Sequence, residues 1–248
     1  MQPAPKAAGV RSVMAWRRRI PGYAALSWLR QMLLDPQFRE TARLRAFRPL
    51  GLLQPSGHTR PDRHPELFAL AREQVGDGPD HHLLSFGCAT GDEVFSLRHY
   101  FPQARITGID ISAARIRRCR GRARRAGADA SIAFAVGASA SDMPEDAFDA
   151  VFAMSVLRHG DLSGAPPACD HVLLFADFER VVSGLARCVR PGGVLILRHA
   201  AFRFVDTAAA RNFAPLLRLP RKAQGPLYDT DNRLLPLEDE ETVAFRKI

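Results

Sequence analysis

Leu83-Leu84-Ser85-Phe86-Gly87-Cys88-Ala89-Thr90-Gly91-Asp92-Glu93 is the stretch whose reading decides the fold of this 248-residue chain. An apolar strand runs into a turn of small residues, and a helix opens directly after it. Small side chains there let the backbone approach a ligand closely and adopt dihedrals that other residues avoid. In an open parallel sheet, this first strand-to-helix turn lies at the crevice where ligands bind.

Outward from that loop, short apolar runs alternate with helical stretches. The pattern predicts strands over 82–86, 104–109, 131–136, 147–155 and 193–198, with helices over 93–100, 113–126 and 175–188. Strands alternating with helices of 10–15 residues build βαβ units. The expected fold class is α/β: a doubly wound, mostly parallel sheet with helices on both faces. In the helix after Ser112, Ile116, Cys119, Ala123 and Ala126 fall within an arc of about 80° at 100° per residue. The arginines at 115, 117, 118, 120, 122, 124 and 125 fall outside it and are expected to form a solvated face.

Upstream the grammar differs. Residues 1–10 read as a loose tail, and residues 12–34 as a basic amphipathic helix that docks on the core or on acidic lipid. No acidic residue precedes Asp35. Residues 36–48 are helical and polar, 49–65 are rich in breakers, and a helix over 66–74 stops at Gly76-Asp77-Gly78-Pro79. That cluster predicts a boundary between an N-terminal tail and helical cap, 1–78, and the core, 79–248.

Composition excludes several classes. At 46% hydrophobic and 25% charged, the chain is that of a globular protein and not of a disordered one. No run approaches the roughly 20 apolar residues of a transmembrane helix. A secretory signal is not evident, which points to the cytoplasm. Cys88, Cys119, Cys169 and Cys188 lack zinc or disulfide-framework spacing, so no metal is expected. The net charge of +9 invites a nucleic-acid reading. Nearly all of it is arginine, however, a bias that GC-rich coding produces without any selected partner, and the helix arithmetic assigns the densest arginine run to solvent. Oligomeric state is not readable.

The dinucleotide fingerprint needs Gly-x-Gly-x-x-Gly. Here the order is Gly87-x-Ala89-x-Gly91, and Asp92 stands where the third glycine would be. With Glu93 it sets negative charge where a pyrophosphate would sit, which disfavours a nicotinamide oxidoreductase. A nucleoside without phosphates, and better a cationic one, suits such a loop.

The spacing resembles motif I of class I S-adenosylmethionine-dependent methyltransferases. Gly-Cys-Ala-Thr-Gly-Asp-Glu is similar to the corresponding loop of the chemotaxis-receptor methyltransferase branch. Three further segments resemble the family in order: Thr107-Gly108-Ile109-Asp110-Ile111-Ser112, the run from Asp142 to Val151, and Leu185 to Leu197 with its Pro191-Gly192-Gly193 turn. The resemblance implies a closing antiparallel hairpin ending in a strand over 241–248, which would complete a seven-stranded Rossmann-like sheet behind the helical N-terminal extension. The resemblance implies S-adenosylmethionine as cofactor, wrapped by Phe86, Gly87, Cys88, Ala89 and Gly91. Asp110 would bind its ribose, with Ile111, Ser139, Asp142 and Met154 completing the site. Three positions depart from the pattern. Ser85 replaces the acid that usually precedes the loop, Ala89 replaces the middle glycine, and Ser139 stands where an adenine-binding aspartate is common.

His159, after the fourth strand, and His199, ending the fifth, are the candidate catalytic bases, since imidazole titrates near neutral pH. Arg60 or Arg63, in the polar segment 58–65, could hold the methionine carboxylate of the cofactor or an acidic acceptor through a bidentate pair. The motif of amino-group methyltransferases after the fourth strand is absent. The expected reaction is therefore methylation of an oxygen or carboxylate on a small-molecule acceptor. Protein carboxyl methylation is the alternative enzyme, and an arginine-mediated nucleic-acid protein is the alternative class.

Overall fold

The structure, a computed structural model, describes residues 23–49, 51–128, 130–221 and 225–248. It forms two compact units, Met1–Phe47 and Arg48–Ile248. The tail at 1–10 and the first part of the expected basic helix, 12–22, lie outside the described residues. The remainder of that helix is α1 (Tyr23–Leu34), followed by α2 (Pro36–Phe47). Asp35 starts α2, its Oδ1 accepting the amides of Gln37 and Phe38 at 2.8 and 3.2 Å. Arg39 Nη1 donates to the carbonyls of Met32 and Leu33 at 3.0 and 2.7 Å, satisfying the orphan end of α1.

The larger unit is the seven-stranded sheet, in the order β3-β2-β1-β4-β5-β7-β6. Its strands are β1 (His82–Phe86), β2 (Arg105–Asp110), β3 (Ile132–Val136), β4 (Phe148–Met154), β5 (Val189–Arg198), β6 (Phe213–Pro220) and β7 (Glu240–Lys247). The first five pair in parallel, while β7 runs antiparallel to both β5 and β6. β1 and β4 are buried along almost their whole length because helices cover both faces, which is why they read as continuous apolar runs.

Two apolar layers result. On one face α6 (Phe175–Cys188) packs Phe178, Val182 and Leu185 against Val151, Ala153 and Leu195. On the other, α3 (Pro65–Val75), α4 (Asp92–Tyr100) and α5 (Ala113–Arg125) pack Phe68, Leu97 and Ile116 against Leu83, Phe152 and Ile196. Leu67, Phe68 and Ala71 of α3 are buried in this second layer. The chain therefore does not divide at 78/79 as expected: the breaker segment and α3 belong to the sheet unit, and the division falls at Phe47/Arg48.

Two further expectations are corrected by contacts the sequence does not display. β5 starts at Val189 rather than at Gly193, because the Pro-Gly-Gly segment is drawn into the strand beside an irregularity between Phe148 and Ala150. Gly193 permits it, since a Cβ there would lie 2.8 Å from the carbonyl of Asp149. In α5, Ile116 and Cys119 are buried as predicted, but the arginine face is not all solvated. Arg115 is 3% exposed. Arg120 donates to the carbonyl of Phe134, and Arg122 to that of Thr90 and to Asp92. Long guanidinium stems reach around the helix to satisfy loop carbonyls, which a wheel of Cα positions cannot show.

Phe178 is fully buried between Phe175 and Phe202, with ring centroids 6.1 and 5.3 Å away. Phe178→Ala should cost about 3–5 kcal/mol in urea unfolding with an unchanged m-value.

Candidate functional site

The C-terminal ends of β1, β2 and β4 open on one cleft, with a strap formed by residues 51–64 also lining it. The glycine loop forms its floor. Gly87 has φ +73°, and a Cβ there would meet the Val156 side chain, 2.6 Å from its Cβ. Ala89 is left-handed at φ +47° and Gly91 at +89°, so the loop curls under the cleft and delivers the chain into α4. The amides of Gly87 and Cys88 donate to the carbonyl of Ile109 at 2.8 and 2.9 Å, stitching the loop to β2.

Asp110 ends β2 at 4% exposure and lines both compartments of the cleft. Its Oδ2 accepts the amide of Ala89 at 3.0 Å and its Oδ1 that of Ser112 at 2.9 Å. Arg115 Nη1 stands 3.6 Å from Oδ1. Burial raises its pKa, while Arg115 and the two amides oppose the shift. A carboxylate has about four acceptor sites, so two amides leave capacity for the paired hydroxyls of a ribose.

The acid missing from the end of β1 arrives from elsewhere. Ser85 Oγ donates to Glu93 Oε1 at 2.7 Å, which brings a carboxylate from the first turn of α4 to the cleft. Burial pushes Glu93 up to about 7, against the opposing effects of the Ser85 bond and Arg63. The signal was an acid two residues beyond a glycine loop whose strand acid had become serine.

At the ends of β4 and β5, Ser155 Oγ and His199 Nδ1 are hydrogen-bonded at 2.7 Å. Both residues are left-handed, at φ +63° and +58°. The His199 ring meets that of His64 edge-on at 5.4 Å. Burial first, then Arg63, Arg198, His64 and Arg158, push the His199 pKa down to about 3. Burial also lowers Arg63 and Arg158, each helped by a neighbouring arginine. Positive charge is thus concentrated beside Met154 and Ser155.

The strap is anchored, not draped. Leu53 is buried in the core, Arg115 Nη2 donates to the carbonyl of Pro55 at 2.6 Å, and the amide of Asp62 donates to Ser96 Oγ at 2.8 Å. With the strap and Val156 in place, the two compartments measure about 50 and 30 Å³. That is room for little more than a water each. The donor set of the cleft fits a nucleoside sulfonium.

Of the residues expected here, Phe86, Gly87, Cys88, Ala89, Asp110, Ile111, Met154 and Arg63 line the cleft. His199 stands behind Ser155. Three others point elsewhere. His159 Nδ1 accepts the amide of Asp161 at 3.2 Å and caps a short 3-10 helix. Ser139 Oγ is bonded to Ser141 Oγ at 2.6 Å, and Asp142 is exposed. Gly137 and Ala138 take their place at the cleft wall. Ser155, Val156, Glu93 and Arg115 were not anticipated, because each enters through a fold in the backbone or a contact distant in sequence.

The fold and its cleft are those of a methyltransferase core. The methyltransferase domain family matches residues 78–224, and the chain belongs to that family. Among solved structures it is similar to the [4+2]-cyclase SpnF, with 22% identity over 64% of this chain and 61% of that one, at a TM-score of 0.47. It is also similar to geranyl diphosphate C-methyltransferase from Streptomyces coelicolor A3(2), with 21% identity over 54% and 44% of the two chains and a TM-score of 0.40. YcgJ from Bacillus subtilis follows, with 19% identity over 57% and 53% and a TM-score of 0.43. The matched portions cover about half of these relatives.

Gly87→Ala should abolish binding of S-adenosylhomocysteine in calorimetry while the protein still folds, since the added methyl group meets Val156 rather than the core. Glu93→Gln tests the raised carboxyl. Unfolded Glu93 loses its proton near 4.5 and folded Glu93 near 7, so its contribution to stability is present below the first value and lost as pH rises through the second. The Tm of the variant relative to wild type should therefore climb between pH 4.5 and 7 and level off above.

Proposed function

We propose that the chain transfers the methyl group of S-adenosylmethionine to a carboxylate oxygen of a small-molecule acceptor. The observation that carries this reading is the histidine beside the cleft. His199 is held neutral with a pKa of about 3, so it is too weak a base to deprotonate a hydroxyl or an ammonium group. A carboxylate brings no proton that must leave. The arginines that depress His199 are the groups that would draw such an anion in, and Arg63 lines the cleft within reach of the donor end.

The cofactor supplies an electrophilic methyl group on a sulfonium. Gly87, Cys88 and Ala89 give it a floor of small residues, Gly91 turns the chain into α4 beneath it, and Asp110 accepts its ribose hydroxyls. Ile111, Gly137 and Ala138 flank the adenine end in place of Ser139 and Asp142. Glu93 sets negative charge near the cationic end of the ligand. Arg63 orients the acceptor, and the Ser155–His199 pair holds the tips of β4 and β5 in the shape that admits it. Methyl transfer is displacement on carbon, so this positioning is the main service the protein renders.

Calorimetry with S-adenosylhomocysteine should give binding for wild type and little for Asp110→Ala. With the donor carrying a labelled methyl group, carboxylic acids should yield base-labile methyl esters. Acceptor and His199 hold the same charge from pH 6 to 8.5, so the rate should change only modestly, through the titration of Glu93 near 7, and should be flat across that range in Glu93→Gln. Arg63→Ala should lower kcat/KM roughly tenfold to a hundredfold. A rate climbing tenfold per pH unit would instead assign a protonated acceptor and a base.

A further inference from the structure

The excess positive charge of this chain is not spread over it. Met1–Phe47 holds nine Lys and Arg against two Asp and Glu, a net +7 of the whole chain's +9. A coding bias toward arginine would leave no such asymmetry, and the sheet unit is close to neutral.

The same unit carries an apolar helix, α1, none of whose residues is buried among the described residues. At 100° per residue, Trp28, Met32, Ala25, Leu29, Leu33 and Leu26 of α1 occupy one arc of about 160°. Arg30, Ser27 and Gln31 stand on the opposite side. None of the α1 side chains is buried, and Leu26, Trp28, Leu29, Leu33 and Leu34 all stand out to solvent, Leu33 at 67%. A soluble protein rarely leaves a contiguous patch of this kind uncovered without a use for it. Arg17, Arg18 and Arg19 precede the helix in sequence, and Arg30 lies within it.

We propose that α1 docks in the plane of a membrane surface bearing anionic lipid, with its leucine and tryptophan face in the acyl boundary and the excess positive charge of its unit drawn to the headgroups. A wide apolar face in a unit of net charge +7 fits lipid, which offers both hydrocarbon and negative charge. Nucleic acid would use the arginines and leave the leucines in water. Tryptophan is also the residue that settles at a bilayer interface. The helix has 12 residues, too few to cross a bilayer, and no described helix is long and apolar enough to do so. This docking is independent of the methyl-transfer reading.

The test is built into the composition, because Trp16 and Trp28 are the chain's two tryptophans and both lie in this unit. The full chain is titrated with vesicles of phosphatidylcholine alone, or with phosphatidylglycerol added, and read by tryptophan emission and co-sedimentation. Adding the anionic lipid should raise partitioning at least about tenfold, shift emission to the blue and be reversed by salt. Leu29→Glu with Leu33→Glu should abolish both signals. Changing Arg17, Arg18 and Arg19 to Gln leaves the apolar face intact and should weaken partitioning about a hundredfold. This second variant keeps the test decisive if the first fails to fold, and the thermal melt of the sheet unit should be unchanged in both. Equal partitioning into neutral vesicles, or an unshifted emission, would overturn the proposal. So would a wild-type dimer that Leu29→Glu with Leu33→Glu converts to monomer without vesicle binding, since a second copy of the chain would then be the occupant.

Discussion

The carboxylate of Asp110 holds the functional end of this sheet together. One oxygen takes the amide of Ala89 in the glycine loop, the other takes that of Ser112 at the start of α5, and Arg115 beside it reaches the strap at Pro55. Three segments far apart in sequence are thus referred to a single buried acid. A charge at that depth is tolerated only with such partners, and burial and partners pull its pKa in opposite directions. The same two oxygens therefore hold the glycine loop, the start of α5 and, through Arg115, the strap.

From that anchor the position of the strap follows. Arg115 is pinned between the acid and the carbonyl of Pro55, and Gly57 leaves space for its guanidinium. One guanidinium thus ties the strap to the end of β2.

The periodicity of residues 82–198 was readable because a parallel sheet covered on both faces forces apolar runs into alternation with helices. The glycine loop was readable because small residues at fixed spacing have few other uses. Gly87, Ala89 and Asp110 accordingly line the cleft where they were expected. What escaped the sequence depended on side-chain length or on backbone reversal. Arg115 looked like one of seven solvated arginines, and only its reach to Pro55 distinguishes it. Ser155 looked like the last residue of a strand, and His159 like a base, until the chain turned at φ +63° and handed the inward position to Ser155. The β6–β7 hairpin was anticipated only through its last strand, since Phe213–Pro220 carries two prolines that argue against a strand unless it lies at an edge, as this one does.

Left-handed backbone at residues other than glycine costs energy and persists only where the surroundings dictate it. Among the described residues eight adopt it, and Ala89, Ser155 and His199 ring the cleft. Each is held by bonds that leave no alternative. The Ala89 amide is fixed on Asp110, the Ser155 amide on the carbonyl of Arg198 at 2.7 Å, and the His199 ring on Ser155. The amide of Ala201, just beyond, donates to the carbonyl of Leu157 at 2.8 Å and locks the two strand exits together. Two parallel strands diverging from a sheet would normally let their loops splay. Here the strain is used to fold both back on the same side, so that side chains from β4 and β5 face the loop after β1. The strap opposite them is fixed by other means, with Leu53 buried in the core and polar contacts through Arg115 and Ser96.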